Sequence, residues 1–197
     1  MDGHAAARTR LSNLGLSTPH ATDAAALVRR LGAVQAQDYG PALWSLGARV
    51  RQPIAQVEAA VLAGDLIRTH VLRPTWHLVP AEDLRWMLEL TAPRVNALTS
   101  YYYRLNGLTE VVLQRSRQLL GQALAGGEEL TRKQLAEAVA ELGVEVVGQR
   151  FALMLMNAEL SGVICSGVPV GKQQTYALVD RRVPKSRELT GARPSPS

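Results

Sequence analysis

Residues 66–79 read Leu-Ile-Arg-Thr-His-Val-Leu-Arg-Pro-Thr-Trp-His-Leu-Val and contain two strand-like segments on either side of a proline. Both ends of this stretch are rich in branched and aromatic residues, which are favoured in strands. Arg73-Pro74 separates them, and a proline cannot donate to a strand ladder. The pattern predicts a β-hairpin with strands at residues 66–72 and 75–79.

A similar hairpin is predicted near the other end of the chain. Residues 62–66 (Leu-Ala-Gly-Asp-Leu) resemble residues 160–164 (Leu-Ser-Gly-Val-Ile), and residues 75–79 resemble residues 175–179 (Thr-Tyr-Ala-Leu-Val). The two matches occur in the same order. Such self-similarity is typical of an internal repeat.

Three helical patterns precede the first hairpin. Asp23, before an apolar run to Leu31, is typical of an N-cap, and Gly32 of a helix end. A second helix is predicted to begin at Pro41, and a third covers residues 53–63 and ends at Gly64.

Three helical patterns also precede the second hairpin. Residues 110–125 have apolar groups at helical spacing. Thr131 and Gln134 predict a capping box at the start of the next helix, and residues 151–160 form an apolar third helix. Between the repeats, residues 80–91 and 93–105 predict two further helices, separated at Pro93.

Three helices followed by a hairpin is the winged-helix arrangement, a variant of the helix-turn-helix. The sequence therefore predicts a mainly α protein with short β-hairpins (α+β), built from tandem winged-helix units. The predicted segments are an N-terminal segment (1–21), a first unit (22–79), a helical linker (80–108), a second unit (109–180) and a basic flexible tail (181–197).

Composition places the chain among globular proteins. Its 197 residues are 47% hydrophobic and 20% charged, which leaves room for a real core. No apolar run approaches the roughly 18 residues that span a bilayer, and the first ten residues contain no apolar secretion segment. We therefore expect a cytoplasmic protein without a membrane partner, in which the lone cysteine, Cys165, is a small buried side chain.

The net charge of +5 gives weak support for nucleic-acid binding. Residues 181–197 hold five arginines and lysines and one glutamate, so they contribute +4 of the total. The rest of the chain is nearly neutral, and a claim of DNA binding has to rest on local clusters.

One such cluster lies on the first hairpin, which carries Arg68, His70, Arg73 and His77. The aligned positions of the second hairpin hold Ser166, Val168 and Ala177 for Arg68, His70 and His77, so the fold does not require these polar groups. The cluster is suited to phosphate contact. The alternative is that the arginines solvate the hairpin and a histidine hydrogen-bonds a backbone carbonyl.

The third helices argue against a simple groove-reading regulator. Such a helix usually presents basic or amide side chains to base edges. Residues 54–63 offer Gln56 and Glu58 without a basic residue, and residues 151–160 are apolar on nearly every side, which is typical of a buried helix.

A second candidate feature is the segment Gln35-Ala36-Gln37, followed by a turn at Gly40-Pro41. In an extended chain the two glutamines point to the same side and can share one ligand. An amide orients a water or binds a base edge but does not titrate near neutral pH. The alternative interpretation is a pair of surface glutamines.

Together these residues resemble a known family. Val34-Gln35-Ala36-Gln37, then Leu43-Trp44, then the hairpin of residues 68–79 are similar to the AlkZ/YcaQ family of winged-helix DNA glycosylases, with the resemblance running from about Leu11 to Val183. The most specific part is the glutamine, hydrophobic, glutamine signature ahead of the hairpin. The family is associated with removal of bulky alkylated purines and interstrand crosslinks.

The resemblance implies site residues by position. Gln35 and Gln37 match the catalytic signature, with Gln37 as the residue that positions water and Gln35 as its partner at the lesion. Asp38 is a lesser candidate for a carboxylate. The DNA-binding residues implied by the hairpin motif are Arg68, Thr69, Arg73, Thr75 and His77.

The function expected from the resemblance is hydrolysis of the N-glycosidic bond of alkylated purines in double-stranded DNA, as in base excision repair. The alternative is a non-catalytic winged-helix DNA-binding regulator or a protein-interaction module. No cofactor or metal is expected, since the four histidines and the cysteine lack zinc-ligand spacing.

The chain is shorter than most members of this family, which usually continue with a third winged-helix region. We therefore expect a fragment or truncated reading frame, or a short member that works with a partner or as a homodimer.

Overall fold

The structure is a computed structural model, and it describes residues 3–143, 145–171, 173–183 and 186–187. It is mainly helical with two small antiparallel sheets. Helix α1 (Gly3–Asn13) comes first. None of the helices within these ranges is long and apolar enough to cross a bilayer.

The first unit contains three helices, a short strand and a hairpin. Its elements in chain order are α2 (Ala24–Leu31), β1 (Val34–Gln35), α3 (Tyr39–Val50), α4 (Ile54–Ala63), β2 (Leu66–His70) and β3 (Trp76–Pro80). The strands form an antiparallel sheet in the order β1-β3-β2, in which the central residue His77 faces both Gln35 and Thr69. We call β2, β3 and the residues between them the first hairpin.

The second unit repeats this order of elements. They are α6 (Glu110–Ala123), β4 (Leu130–Thr131), α7 (Arg132–Glu141), α8 (Gly148–Leu160), β5 (Ile164–Ser166) and β6 (Thr175–Leu178). The sheet has the corresponding order β4-β6-β5. We call β5, β6 and the residues between them the second hairpin.

The helix starts and ends that were predicted from local signals are confirmed. The Asp23 carboxylate accepts a hydrogen bond from the backbone N–H of Ala26 at 2.8 Å. Thr131 and Gln134 form the predicted capping box. The two third helices, α4 and α8, end in the same way, with Gly64 and Gly162 at φ values of +87° and +68°.

Other predictions need correction. The two helices expected on either side of Pro93 are one helix, α5 (Leu84–Leu105), which follows a 3-10 turn at Ala81–Asp83. Buried residues lie on both sides of the proline, including Leu88 and Val95, so packing outweighs the cost of about 3 kcal/mol that an interior proline imposes. Helix α3 begins at Tyr39, two residues before Pro41.

Three clusters of buried side chains form the core. One fills the first unit, and one fills the second unit together with the C-terminal half of α5. The third lies between them and joins Ile67 and Val79 of the first hairpin to Leu88 of α5 and to Cys165 of the second hairpin. The predicted burial of Cys165 is confirmed, and burial raises the pKa of its thiol to about 12.

The predicted flexible tail lies mostly outside the described residues. Its first residues end the short helix α9 (Val179–Arg182), and Val183 is fully buried. Arg187 forms an ion pair of 2.6 Å with Asp83. These residues are therefore docked on the body of the protein.

Candidate functional site

Gln35 and Gln37 lie at the edge of the first sheet. Gln35 ends β1 and faces His77 of β3, and Gln37 follows two residues later. Both side chains are exposed, whereas Ala36 between them is fully buried and its N–H donates to the Trp76 carbonyl at 2.8 Å. This alternation is that of an extended strand, so the two amides project outward from one anchored backbone.

The same segment of the first hairpin holds both amides. The guanidinium of Arg73 donates to Oε1 of Gln35 at 2.9 Å, and the backbone N–H of Trp76 donates to Oε1 of Gln37 at 3.3 Å. Within the described ranges, neither side-chain NH2 group donates a hydrogen bond. Each amide therefore keeps its donors, and one acceptor lone pair, for a ligand.

Arg68 fixes the backbone that carries the glutamines. Its Nε donates to the Ala36 carbonyl at 2.9 Å and its Nη2 to the Gln37 carbonyl at 3.1 Å. The guanidinium carbon lies 4.5 Å from the centre of the Trp76 ring, and Arg68 as a whole is only 6% exposed. Burial lowers the pKa of Arg68, while the nearby Glu159 carboxylate raises it.

Glu159 of α8 also belongs to the candidate site, although no sequence motif indicated it. It is fully buried, and its carboxylate accepts hydrogen bonds from Nδ1 of His70 and, at 3.3 Å, from the indole N–H of Trp76. The second unit thus supports the wall of the site in the first. The available signal was a glutamate inside a largely apolar helix that is buried in the structure, because a buried carboxylate needs partners.

The other predicted hairpin residues differ in accessibility. Arg73 is exposed and Thr75 is half-buried, whereas Thr69 and His77 are buried. Nδ1 of His77 donates to the Thr75 carbonyl at 2.8 Å, and burial lowers the pKa of this histidine. The structure therefore gathers Arg68, Arg73 and Trp76 around the two glutamines and places Thr69 and His77 inside the hairpin.

Asp38 lies next to the signature but not in this group. It is exposed and occupies the N-cap position of α3, where its side chain makes no capping hydrogen bond. The side chain of Gln37 is therefore hydrogen-bonded to the first hairpin, whereas the structure gives Asp38 no such contact in the described residues.

Comparison with known proteins identifies the family. The family model described as DNA glycosylase AlkZ-like matches residues 28–195. Comparison with curated proteins finds no match. Among solved structures, the chain is similar to the Streptomyces sahachiroi DNA glycosylase AlkZ, with a TM-score of 0.71 and 23% identity.

This structural match covers 87% of the present chain and 47% of the Streptomyces chain, so the protein spans about half the length of that structure. At this identity the similarity shows a shared fold. The family model covers most of the chain, including both glutamines and both hairpins, and the protein therefore belongs to the AlkZ-like DNA glycosylase family.

Proposed function

We propose that this protein is a monofunctional DNA glycosylase that hydrolyses the N-glycosidic bond of alkylated purines, including bulky N7 adducts and interstrand crosslinks, in duplex DNA. The observation that carries the proposal is the pair of exposed amides, Gln35 and Gln37, held by one segment of the first hairpin. Membership of a glycosylase family supports the reaction type.

We also propose that residues 22–79 and 109–180 are winged-helix units. The repeated order of helix, short strand, two helices and hairpin supports this assignment, as do the two sheets of corresponding strand order. The burial of α8, from Leu153 to Leu160, argues against base reading by the third helix of the second unit.

Hydrolysis of an N7-alkylated purine nucleoside does not require strong acid catalysis by the protein. Alkylation at N7 makes the purine cationic, so cleavage of the bond from C1′ to N9 leaves the electron pair on a neutral base. A water oxygen bonds to C1′, and the water proton passes to solvent. The protein has to hold this water against an oxocarbenium-like sugar and stabilise the developing charge.

Gln37 is suited to hold this water. Its Oε1 accepts from the Trp76 N–H, which fixes the amide, and the second lone pair can accept from water. An amide does not titrate near neutral pH, so it orients the water rather than deprotonating it. Gln35 lies beside it as the second group at the lesion, held by Arg73.

The DNA-binding element in this proposal is the first hairpin. Arg73 is its exposed group and contacts the phosphates, whereas the Thr75 hydroxyl is buried. Arg68, Thr69 and His77 are buried and fix the shape of the hairpin and the position of the glutamines.

The proposal is tested with a duplex that carries a single N7-methylguanine, with abasic-site formation as the readout. Gln37→Ala should lower the excision rate by about a hundredfold or more, the loss typical when a positioned polar group is removed from an active site. Gln56→Ala, an exposed glutamine on α4, is the matched control and should leave the rate unchanged.

Equal excision by Gln37→Ala and the unsubstituted protein would contradict the assignment of this residue. Sequence-selective DNA binding without excision would support the alternative, a regulator without catalytic function, since selectivity of that kind requires base readout.

A further inference from the structure

Helix α5 has an exposed apolar side that no other described part of the chain covers. Its buried side, which includes Leu88 and Val95, packs in the core. On the opposite side four large side chains are between 60% and 71% exposed: Leu90, Leu98, Tyr101 and Leu105. Single exposed leucines are common on protein surfaces, but several apolar side chains on one face are typical of an interaction site.

These four side chains form a narrow stripe along the helix. Because successive residues of an α-helix are rotated by about 100°, the four fall within an arc of about 80° and extend over about 22 Å of the helix axis. Arg94 is exposed and lies within the same arc. We call Leu90, Arg94, Leu98, Tyr101 and Leu105 the α5 stripe.

The order of residues in the α5 stripe is self-complementary. Leu90 and Arg94 are four positions apart, as are Tyr101 and Leu105, and Leu98 lies near the midpoint. Two antiparallel copies of the helix therefore place Leu90 against Leu105 and Arg94 against Tyr101, and each contact occurs twice. A patch that matches itself in this way is what a twofold-symmetric dimer requires.

The charges favour this antiparallel arrangement over a parallel one. The Arg94 guanidinium faces the Tyr101 ring of the second copy, which is a cation–π contact. The Tyr101 ring already packs edge-to-face on Tyr102, with ring centres 5.5 Å apart, so it loses little conformational freedom on binding. Parallel copies would instead bring the two Arg94 side chains together, and these repel each other.

We propose that the α5 stripe binds the same stripe of a second copy of this chain and forms an antiparallel dimer with twofold symmetry. A partner of unrelated sequence would not require the symmetric order of the stripe. The α5 stripe shares no residue with the candidate site around Gln35 and Gln37. The inference therefore does not depend on the proposed glycosylase function.

Sedimentation equilibrium at increasing protein concentration tests the dimer. The average mass should rise from that of one chain toward that of two. Leu98→Glu places two carboxylates near the twofold axis and should raise the dissociation constant of the dimer by about tenfold or more. Leu11→Glu, the matched control, makes the same change at an exposed leucine of α1 and should leave the dissociation constant unchanged.

A disulfide experiment tests the antiparallel register. Chains with Leu90→Cys are mixed with chains with Leu105→Cys and oxidised, and the native Cys165 does not compete because it is fully buried. The mixture should form interchain disulfides, since residues 90 and 105 lie opposite each other. Leu90→Cys alone should form few, because its two cysteines would be about 22 Å apart in the dimer.

The mass of a single chain at every concentration would overturn the proposal and leave the α5 stripe to a different partner. Equal dissociation constants for Leu98→Glu and Leu11→Glu would overturn it as well, since the stripe would then lie outside the dimer interface. Cross-linking of Leu90→Cys to itself as readily as to Leu105→Cys would contradict the antiparallel order. None of these measurements involves DNA, so their outcome is separate from that of the excision assay.

Discussion

The first hairpin carries Arg68 and His77 where the second carries Ser166 and Ala177, although both hairpins follow the same order of helices and strands. In the third helices, which precede the hairpins, the polar residue lies in the second unit instead. The repeat alignment places Glu159 of α8 opposite Val61 of α4, and the valine packs in the core of its own unit.

These differences show that the two units have different roles. In the first unit, polar residues shape the hairpin around exposed amides. In the second unit, a buried carboxylate reaches across to His70 and Trp76 of that hairpin. Substitutions that give one unit the residue of the other therefore test which differences matter.

The largest effect is expected for Glu159→Val, which gives α8 the residue of α4. The change leaves Nδ1 of the buried His70 and the indole N–H of the half-buried Trp76 without their acceptor. Each buried donor left without an acceptor costs about 1 to 3 kcal/mol, so the free energy of unfolding should fall by about 3 kcal/mol or more. Urea denaturation measures this difference.

Glu137→Val is the matched control, because Glu137 lies exposed on α7 with only a 3.8 Å surface ion pair to Lys133. It should cost less than about 1 kcal/mol, the sum of a weak surface pair and a small helix-propensity loss. Equal effects of the two substitutions would show that Glu159 does not stabilise the first hairpin.

Arg68→Ser gives the first hairpin the residue of the second. It removes the hydrogen bonds to the carbonyls of Ala36 and Gln37, and we expect a loss of about 2 kcal/mol in the free energy of unfolding. Arg68→Lys keeps the charge but not the planar fork, so it should recover only part of the loss. Full recovery by lysine would mean that charge alone matters here.

Gly64→Ala and Gly162→Ala test what the two units share. Both glycines have positive φ at the end of the third helix, and an added Cβ would meet only ordinary contacts of 3.7 Å. The strain is therefore in the backbone alone, and each substitution should cost about 1 kcal/mol. Thermal denaturation compares them with Gly40→Ala, where φ is not positive and the space is open.

A marked difference between these two glycine variants would contradict the equivalence of the helix ends. Equal losses of stability would show that the two helix ends are equivalent in energy as well as in sequence.

Features that depend only on neighbouring residues were predicted correctly from the sequence. The caps at Asp23 and Thr131, the glycine helix ends and both hairpins follow from neighbouring residues alone. The strands β1 and β4 were not predicted, because two residues are too few to show a strand period. The continuous helix through Pro93 was missed because its support comes from distant packing.

The candidate site was predictable only in part, for the same reason. Gln35 and Gln37 were found by their spacing and by resemblance, and their exposure agrees with a binding role. The burial of Arg68 and the contact from Glu159 to His70 depend on a fold that joins residues 89 positions apart. No local pattern indicates which carboxylate meets which histidine.

The smallest effect concerns His77, whose counterpart in the second unit, Ala177, does not titrate. Burial lowers the pKa of His77 below its ordinary value, so the folded protein binds this proton less readily than the unfolded chain. Its contribution to stability is therefore fully present above about pH 6.5 and is lost as the pH falls toward the lower pKa of the folded state.

His77→Gln should consequently lose less stability than the unsubstituted protein between about pH 7.5 and pH 5, as measured by urea midpoints at each pH. The two proteins should show the same pH dependence above about pH 7.5, where the histidine is neutral in both states. A steeper acid loss in His77→Gln would mean that the imidazole binds its proton more tightly in the folded hairpin. That result would contradict a buried, neutral His77 that donates to the Thr75 carbonyl.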